Sequence, residues 1–180
     1  MNKLLTQFCK NPREVGSIAP SSCKMINKML SQVDFTKRLL IVELWAGTGC
    51  FTQKILERMT DDSFLYSFEV LEELHSLTTE KIQDSRTELI NDWAENIQNY
   101  VENQSIDLIV SWLPLATLKN WLKDNILHSS YQCLKKWWTY LQFQYSLSNK
   151  KDIQKHFDRH RVFFELFNIP PAFLYRCEKH

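Results

Sequence analysis

Leu39-Leu40-Ile41-Val42-Glu43-Leu44-Trp45-Ala46-Gly47-Thr48-Gly49 contains three local signals in a fixed order. The apolar, β-rich run at its start reads as a buried strand. Residues 43–49 read as a glycine turn, and Cys50 to Met59 as a helix. Strand, glycine turn and helix in that order make a nucleotide-binding crevice. Glycine lets the backbone approach a ligand, and the start of a helix offers unpaired N–H groups. The spacing is E-x-x-x-G-x-G rather than G-x-G-x-x-G, which points away from a nicotinamide dinucleotide. Trp45 stands in the loop where a glycine is expected.

The alternation begun there continues along the chain. Strands are predicted at 38–43, 64–69, 87–91, 106–111, 138–145, 161–167 and 172–178. Helices are predicted near 21–31, 50–59, 71–82, 94–102, 115–126 and 149–158. Helices separate the first five strands, which implies a parallel sheet. Only Asn168-Ile169-Pro170-Pro171 separates the last two, which implies an antiparallel hairpin at the edge. Pro20 disfavours helix at Ala19, and Ser21 or Ser22 is a candidate cap for the helix that follows.

At 180 residues the chain reads as one domain, 1–180, with an N-terminal helical arm over 1–35 and a core over 36–180. No apolar run reaches the roughly 18–20 residues of a membrane span. The N-terminus lacks the apolar stretch of about 7–15 residues that marks a signal peptide. Cys9, Cys23, Cys50, Cys133 and Cys177 are scattered and odd in number, so reduced thiols in a cytoplasmic protein are expected. No Cys-x-x-Cys occurs. His156 and His160 lack a third ligand and read as a solvated helix face, so no metal is expected. A net charge of +1 argues against a dedicated nucleic-acid binder. The charge is uneven: Lys3, Lys10, Arg13, Lys24 and Lys28 precede Asp34 against one acid, Glu14. With Leu4, Leu5 and Phe8 on one helical face, this arm is either an ordinary packed helix or a basic helix resting on an anionic membrane.

Polar residues fall at the ends of successive predicted strands. Glu43 ends the first, Glu69 the second, Asp92 follows the third and Ser111 ends the fourth. Glu69 lies about 20 residues beyond the glycine loop, near the spacing of a carboxylate that binds ribose hydroxyls. Each alone is more simply a loop or cap residue. Together, at the carboxyl ends of an open α/β sheet, they favour a nucleoside site.

With these residues in place, the chain resembles the class I S-adenosylmethionine-dependent methyltransferases. Within them it is most similar to the phospholipid N-methyltransferase group related to the rRNA adenine dimethyltransferases. The resemblance rests on Lys10-Asn11-Pro12 with Val15-Gly16-Ser17-Ile18-Ala19-Pro20-Ser21-Ser22, and on the 43–49 loop. Ser111-Trp112-Leu113-Pro114, Gln142-Phe143-Gln144-Tyr145 and Asn168-Ile169-Pro170-Pro171-Ala172 complete it. It implies a Rossmann-like three-layer fold with a seven-stranded, mostly parallel sheet and an antiparallel C-terminal hairpin. Glu43 and the loop Trp45, Ala46, Gly47, Thr48 and Gly49 would then face the methionine part of the cofactor. Glu69, beside Val70, would bind the ribose, and Asp92 with Trp93 and Ala94 would frame the adenine. The turn Ser111-x-Leu113-Pro114 resembles the acceptor turn of amine methyltransferases, with Tyr145 a further polar contact. Leu115 follows the proline where base-methylating relatives carry an aromatic, which suits an aliphatic amine such as phosphatidylethanolamine. rRNA adenine is the alternative acceptor. A non-catalytic domain that binds the cofactor poorly because of Trp45 is the other alternative.

The chain has three glycines, Gly16, Gly47 and Gly49, and six tryptophans. Relatives carry glycine where this chain has Trp45 and Trp112, and a glycine pair where it has Trp137-Trp138. Three readings compete: a degenerated site, ordinary core tryptophans, or a gene that uses UGA for glycine and has been translated as though UGA meant tryptophan.

Overall fold

The structure, a computed structural model, describes residues 20–166 and 171–180, with side chains from Met25 onward. Lys3, Lys10 and Arg13 of the expected arm, the side chain of Lys24 and the link through Pro170 lie outside the described residues, as do the resemblance motifs at 10–12 and 15–19, while Lys28 pairs with Glu165 at 3.5 Å.

The chain begins with α1 (Pro20–Leu30) and proceeds through β1 (Leu40–Leu44), α2 (Cys50–Leu56), β2 (Phe64–Phe68), α3 (Glu72–Lys81) and β3 (Thr87–Ile90). It continues with β4 (Ile106–Ser111), α4 (Asn120–Cys133), β5 (Leu134–Gln144), α5 (Lys150–His156), β6 (Arg159–Glu165) and β7 (Ala172–Glu178). The strands form one seven-stranded sheet in the order β3-β2-β1-β4-β5-β7-β6. β1 to β5 pair in parallel, while β7 is antiparallel to both β5 and β6. This is the α/β architecture expected, with the last strand inserted between β5 and the edge.

Alternation along the central strands divides the core into two layers. Ile41, Leu65, Leu108 and Val110 face α1 and α2, where Ile26, Met29, Leu30 and Ile55 meet them. Val42, Leu44, Ile109 and Tyr140 face α4, where Leu122, Ile126 and Leu127 close over them. β1 and β4 are covered on both faces, so their sequences read as unbroken apolar runs. The strand order reverses between β1 and β4, since β1 continues outward to β2 and β4 to β5. That is the switch point at which open α/β sheets hold ligands.

Several expectations are corrected. α1 starts at Pro20, a favoured first helical position, so Ser21 and Ser22 stand inside its first turn rather than ahead of it. The helix expected over 94–102 is a 3-10 helix, Ala94–Asn99. The helix expected over 115–126 is a 3-10 turn, Leu115–Thr117, followed by α4. The helix expected over 149–158 stops at His156, and β6 begins at Arg159. His156 and His160 therefore do not share a helix face: His156 lies 2.9 Å from Asp124 and His160 2.6 Å from Gln154. Among the described residues, no helix is long and apolar enough to cross a membrane. Also among the described residues, no group of three His, Cys, Asp or Glu could hold a metal ion.

Candidate active site

The loop after β1 is fixed to the end of β2. The N–H groups of Trp45 and Ala46 both donate to the Phe68 carbonyl at 2.9 Å. Gly47 N–H donates to Glu69 Oε2 at 2.9 Å, and Thr78 Oγ1 donates to the Gly47 carbonyl at 2.8 Å. Three of the five loop residues are left-handed: Trp45 at φ 79°, Gly47 at 59° and Gly49 at 75°.

The two glycines differ in what surrounds them. A Cβ at Gly47 would meet nothing within 4 Å, whereas one at Gly49 would lie 2.9 Å from Thr78 Cγ2 and 3.3 Å from Ile82 Cγ1. Gly47→Ala is expected to cost only the left-handed strain, about 1–2 kcal/mol. Gly49→Ala adds a clash with Thr78 of α3, for a total of about 2–5 kcal/mol. Urea unfolding of the two variants checks this; equal losses would show that the α3 contact is not tight.

Glu43 lies fully buried at the end of β1. Its Oε2 accepts from Thr52 Oγ1 at 2.7 Å and Ser67 Oγ at 2.6 Å. Its Oε1 is buried with no hydrogen-bond partner among the described residues. Burial pushes the Glu43 carboxyl up to about 7, against the pull of the Ser67 and Thr52 hydroxyls. Glu69, 2% exposed, is also pushed up to about 7 by burial, opposed by the N–H groups of Leu71 and Gly47.

These carboxyls keep their protons to about pH 7 when folded but only to about 4.5 when unfolded. Between those values the native state binds more protons, so stability falls as pH rises and levels off above pH 7. For Glu43 the loss is on the order of 3 kcal/mol. The melting temperature is therefore expected to be higher at pH 5 than at pH 8, and Glu43→Gln to flatten the slope. A slope unchanged in Glu43→Gln would remove Glu43 as its source.

Above the loop, a cavity of about 340 Å³ opens at the carboxyl ends of the strands. Trp45, Val70 and Leu71 wall one side, Asp92, Trp93 and Ala94 a second, and Leu113 and Pro114 a third. Asp92 Oδ1 accepts from Trp93 N–H at 2.7 Å and Asn96 Nδ2 at 2.8 Å, which fixes the chain beyond β3. Ser111 is buried, and its Oγ makes no hydrogen bond among the described residues.

Two residues to which the sequence assigned no role hold the third wall. Gln142 Nε2 donates to the Ser111 carbonyl at 3.2 Å and the Leu113 carbonyl at 3.0 Å. Gln144 Nε2 donates to the same Leu113 carbonyl at 2.8 Å. Both glutamines are buried on one face of the apolar C-terminal end of β5, and that spacing of two is the signal that could have found them. The Leu113 carbonyl is thus already used inside the fold. The Pro114 carbonyl is used too, accepting from Thr117 N–H at 2.8 Å and Thr117 Oγ1 at 2.9 Å.

Tyr145 is not among the residues that line this cavity. It is 56% exposed and meets Phe143 edge-on at 4.8 Å, on the strand face opposite Gln144. Leu115 is fully buried in the core, so the residue after the proline does not face the cavity and does not discriminate an amine from a base.

No family model matches the chain. An ornithine lipid N-methyltransferase from Singulisphaera acidiphila is 24% identical over 178 residues, covering 96% of this chain and 93% of the relative. Among solved structures, a SAM-dependent methyltransferase from Aquifex aeolicus superposes with a TM-score of 0.73 at 12% identity, covering 92% of this chain and 97% of that one. The N-methyltransferase NodS from Bradyrhizobium japonicum, in complex with S-adenosyl-L-homocysteine, gives 0.72 at 10% identity, covering 91% and 89%. An rRNA methylase from Streptococcus thermophilus gives 0.64 at 18% identity, covering 91% and 99%. The chain has the Rossmann-like fold of class I methyltransferases, and the four proteins named above are methyltransferases.

Proposed function

We propose that the chain is an S-adenosylmethionine-dependent N-methyltransferase acting on the amine of a lipid head group, such as phosphatidylethanolamine or an amino-acid lipid. The observation that carries this is the cavity at the switch point, lined by Trp45 of the loop after β1, by Asp92, Trp93 and Ala94 beyond β3, and by Leu113 and Pro114 of the turn after β4. The near full-length similarity to a lipid N-methyltransferase supports the acceptor class.

The residues present fit the cofactor. The unpartnered Oε1 of Glu43 beneath the loop suits a ligand end that carries positive charge. Gly47 is left-handed with open space where a side chain would be, so backbone approach is free there. Trp45 stands on the cavity wall and also packs against the core layer beneath α1 and α2. When bound, S-adenosylmethionine supplies a methyl group activated by its sulfonium.

Glu43 and the 45–49 loop would hold the amino-acid end of the cofactor, Glu69 and Val70 the ribose, and Asp92, Trp93 and Ala94 the adenine. The acceptor amine must arrive neutral, in line and stripped of water. A primary amine resembles lysine, with a pKa near 10.4 in water, and an apolar wall such as Leu113 and Pro114 lowers it. The amine then releases its proton to solvent and presents its lone pair. Leu113 and Pro114 are the residues of the turn that face the cavity, and Ser111 lies buried behind them, where a shift of the turn would be needed for its hydroxyl to orient the amine. Placement of this kind is worth effective molarities of about 10⁵–10⁸ M. The basic N-terminal arm, proposed as a peripheral contact with an anionic membrane, would bring the cavity to the lipid.

RNA adenine is a second reading, and the net charge of +1 weighs against it. A domain that keeps the fold but not the cofactor is a third, favoured by Trp45 on the cavity wall. Transfer of labelled methyl by the Trp45→Gly chain to ethanolamine-lipid vesicles, ornithine-lipid vesicles and RNA separates the three. Label is expected in lipid. Label in RNA alone would overturn the lipid acceptor, and absence of both methyl transfer and cofactor binding would favour the non-catalytic domain.

A further inference from the structure

We propose that residues 45 and 137 are glycine in the protein its own cell makes, each encoded by UGA read as glycine. Three non-glycine residues have positive φ among the described residues: Trp45 at 79°, Trp137 at 69° and Gln104 at 55°. A bulky side chain at positive φ is a conformational outlier. Here two of the chain's six tryptophans occupy such positions, in a chain with three glycines where an average composition would give about 12.

Trp137 sits in an irregular stretch of β5. Ile106 of β4 pairs with Leu134 and Leu108 with Thr139, so β5 carries extra residues between those pairs. Bulges of this kind place a residue in the left-handed region, and glycine is the residue that enters it without cost. The backbone there is held on both sides: Trp137 N–H donates to the Lys179 carbonyl at 2.6 Å, and Lys179 N–H to the Trp138 carbonyl at 3.4 Å. The indole is 68% exposed and meets the His180 ring edge-on at 4.1 Å, so little burial offsets the backbone cost. Trp45 is pinned in the same way, through its N–H to Phe68, and its side chain lines the cavity.

Trp112 and Trp138 behave differently. Neither has positive φ. Trp112 is 7% exposed and packs on Phe51 with ring centroids 3.7 Å apart. Trp138 packs, half-buried, against both core layers. The inference therefore stands on 45 and 137 alone. Residue 137 lies at the end of β5 opposite the cavity, so its test is independent of the methyltransferase reading.

Mass spectrometry of the protein from its native cells reads the tryptic peptides 39–54 and 137–150 directly. Glycine is expected at both positions, and tryptophan at either would overturn the proposal. The physical ground is tested by melting Trp137→Gly against Trp137→Ala. Both remove the indole, but only glycine relieves the positive φ. The glycine variant is expected to melt about 2–5 °C higher. Equal melting temperatures would remove the conformational argument.

Discussion

Replacing Trp45 with glycine is expected to tighten S-adenosylmethionine binding by about ten- to a hundredfold, as read by calorimetric titration of the two chains. Two costs are relieved together. The left-handed backbone at φ 79° costs a non-glycine residue about 1–2 kcal/mol with or without ligand, so its relief raises stability rather than affinity. An indole in a volume meant for a ligand adds overpacking of about 1–3 kcal/mol once the ligand enters. Each 1.4 kcal/mol is about tenfold in affinity. Trp45→Ala clears the cavity but keeps the backbone cost, so it should bind as tightly as the glycine chain while melting at a lower temperature. Equal affinity in all three chains would show that residue 45 does not touch the cofactor.

The second large effect is expected from Glu69. Its carboxylate bridges two segments, taking the Gly47 N–H on Oε2 and the Leu71 N–H on Oε1, each at 2.9 Å. Glu69→Ala leaves both donors unpaired at about 1–3 kcal/mol each. The melting temperature should drop by about 5–10 °C. Cofactor affinity should fall about a hundredfold or more in the Trp45→Gly background, since loop order and the ribose contact go together. Glu69→Gln keeps one acceptor and should recover much of the stability but little of the affinity. Recovery of both would mean that the carboxylate serves the fold only. Because burial holds Glu69 and Glu43 near 7, affinity for a positively charged ligand should also strengthen as pH rises through neutrality.

The sheet was legible because its strands obey simple rules. Ile41-Val42 and Ile109-Val110 are buried on both faces, so they stand out as apolar runs bounded by polar ends. Those ends, Glu43, Glu69, Asp92 and Ser111, were readable because a carboxylate or hydroxyl closing such a run has no packing reason to be there. The segments around 94–99 and 115–117 were not, since a 3-10 turn and an α-helix share a local hydrophobic pattern. The roles of Gln142 and Gln144 depend on where the Leu113 carbonyl lies, some 30 residues away in sequence, and no local signal encodes that. Leu115 misled for the opposite reason: a residue next to a site motif was read as facing the site, while the 3-10 turn directs it into the core. Trp45 and Trp137 stand in sequence where glycine is expected, and their positive φ angles give that expectation a physical ground that Trp112 and Trp138 lack.

A crystal structure of the Trp45→Gly chain grown with S-adenosyl-L-homocysteine tests the site most directly. The nucleoside is expected in the cavity between Val70 and Ala94, its ribose at Glu69 and its amino-acid end over the 45–49 loop near Glu43. The ligand bound elsewhere, or no ligand at saturating concentration, would contradict the cofactor site on which the proposed activity rests.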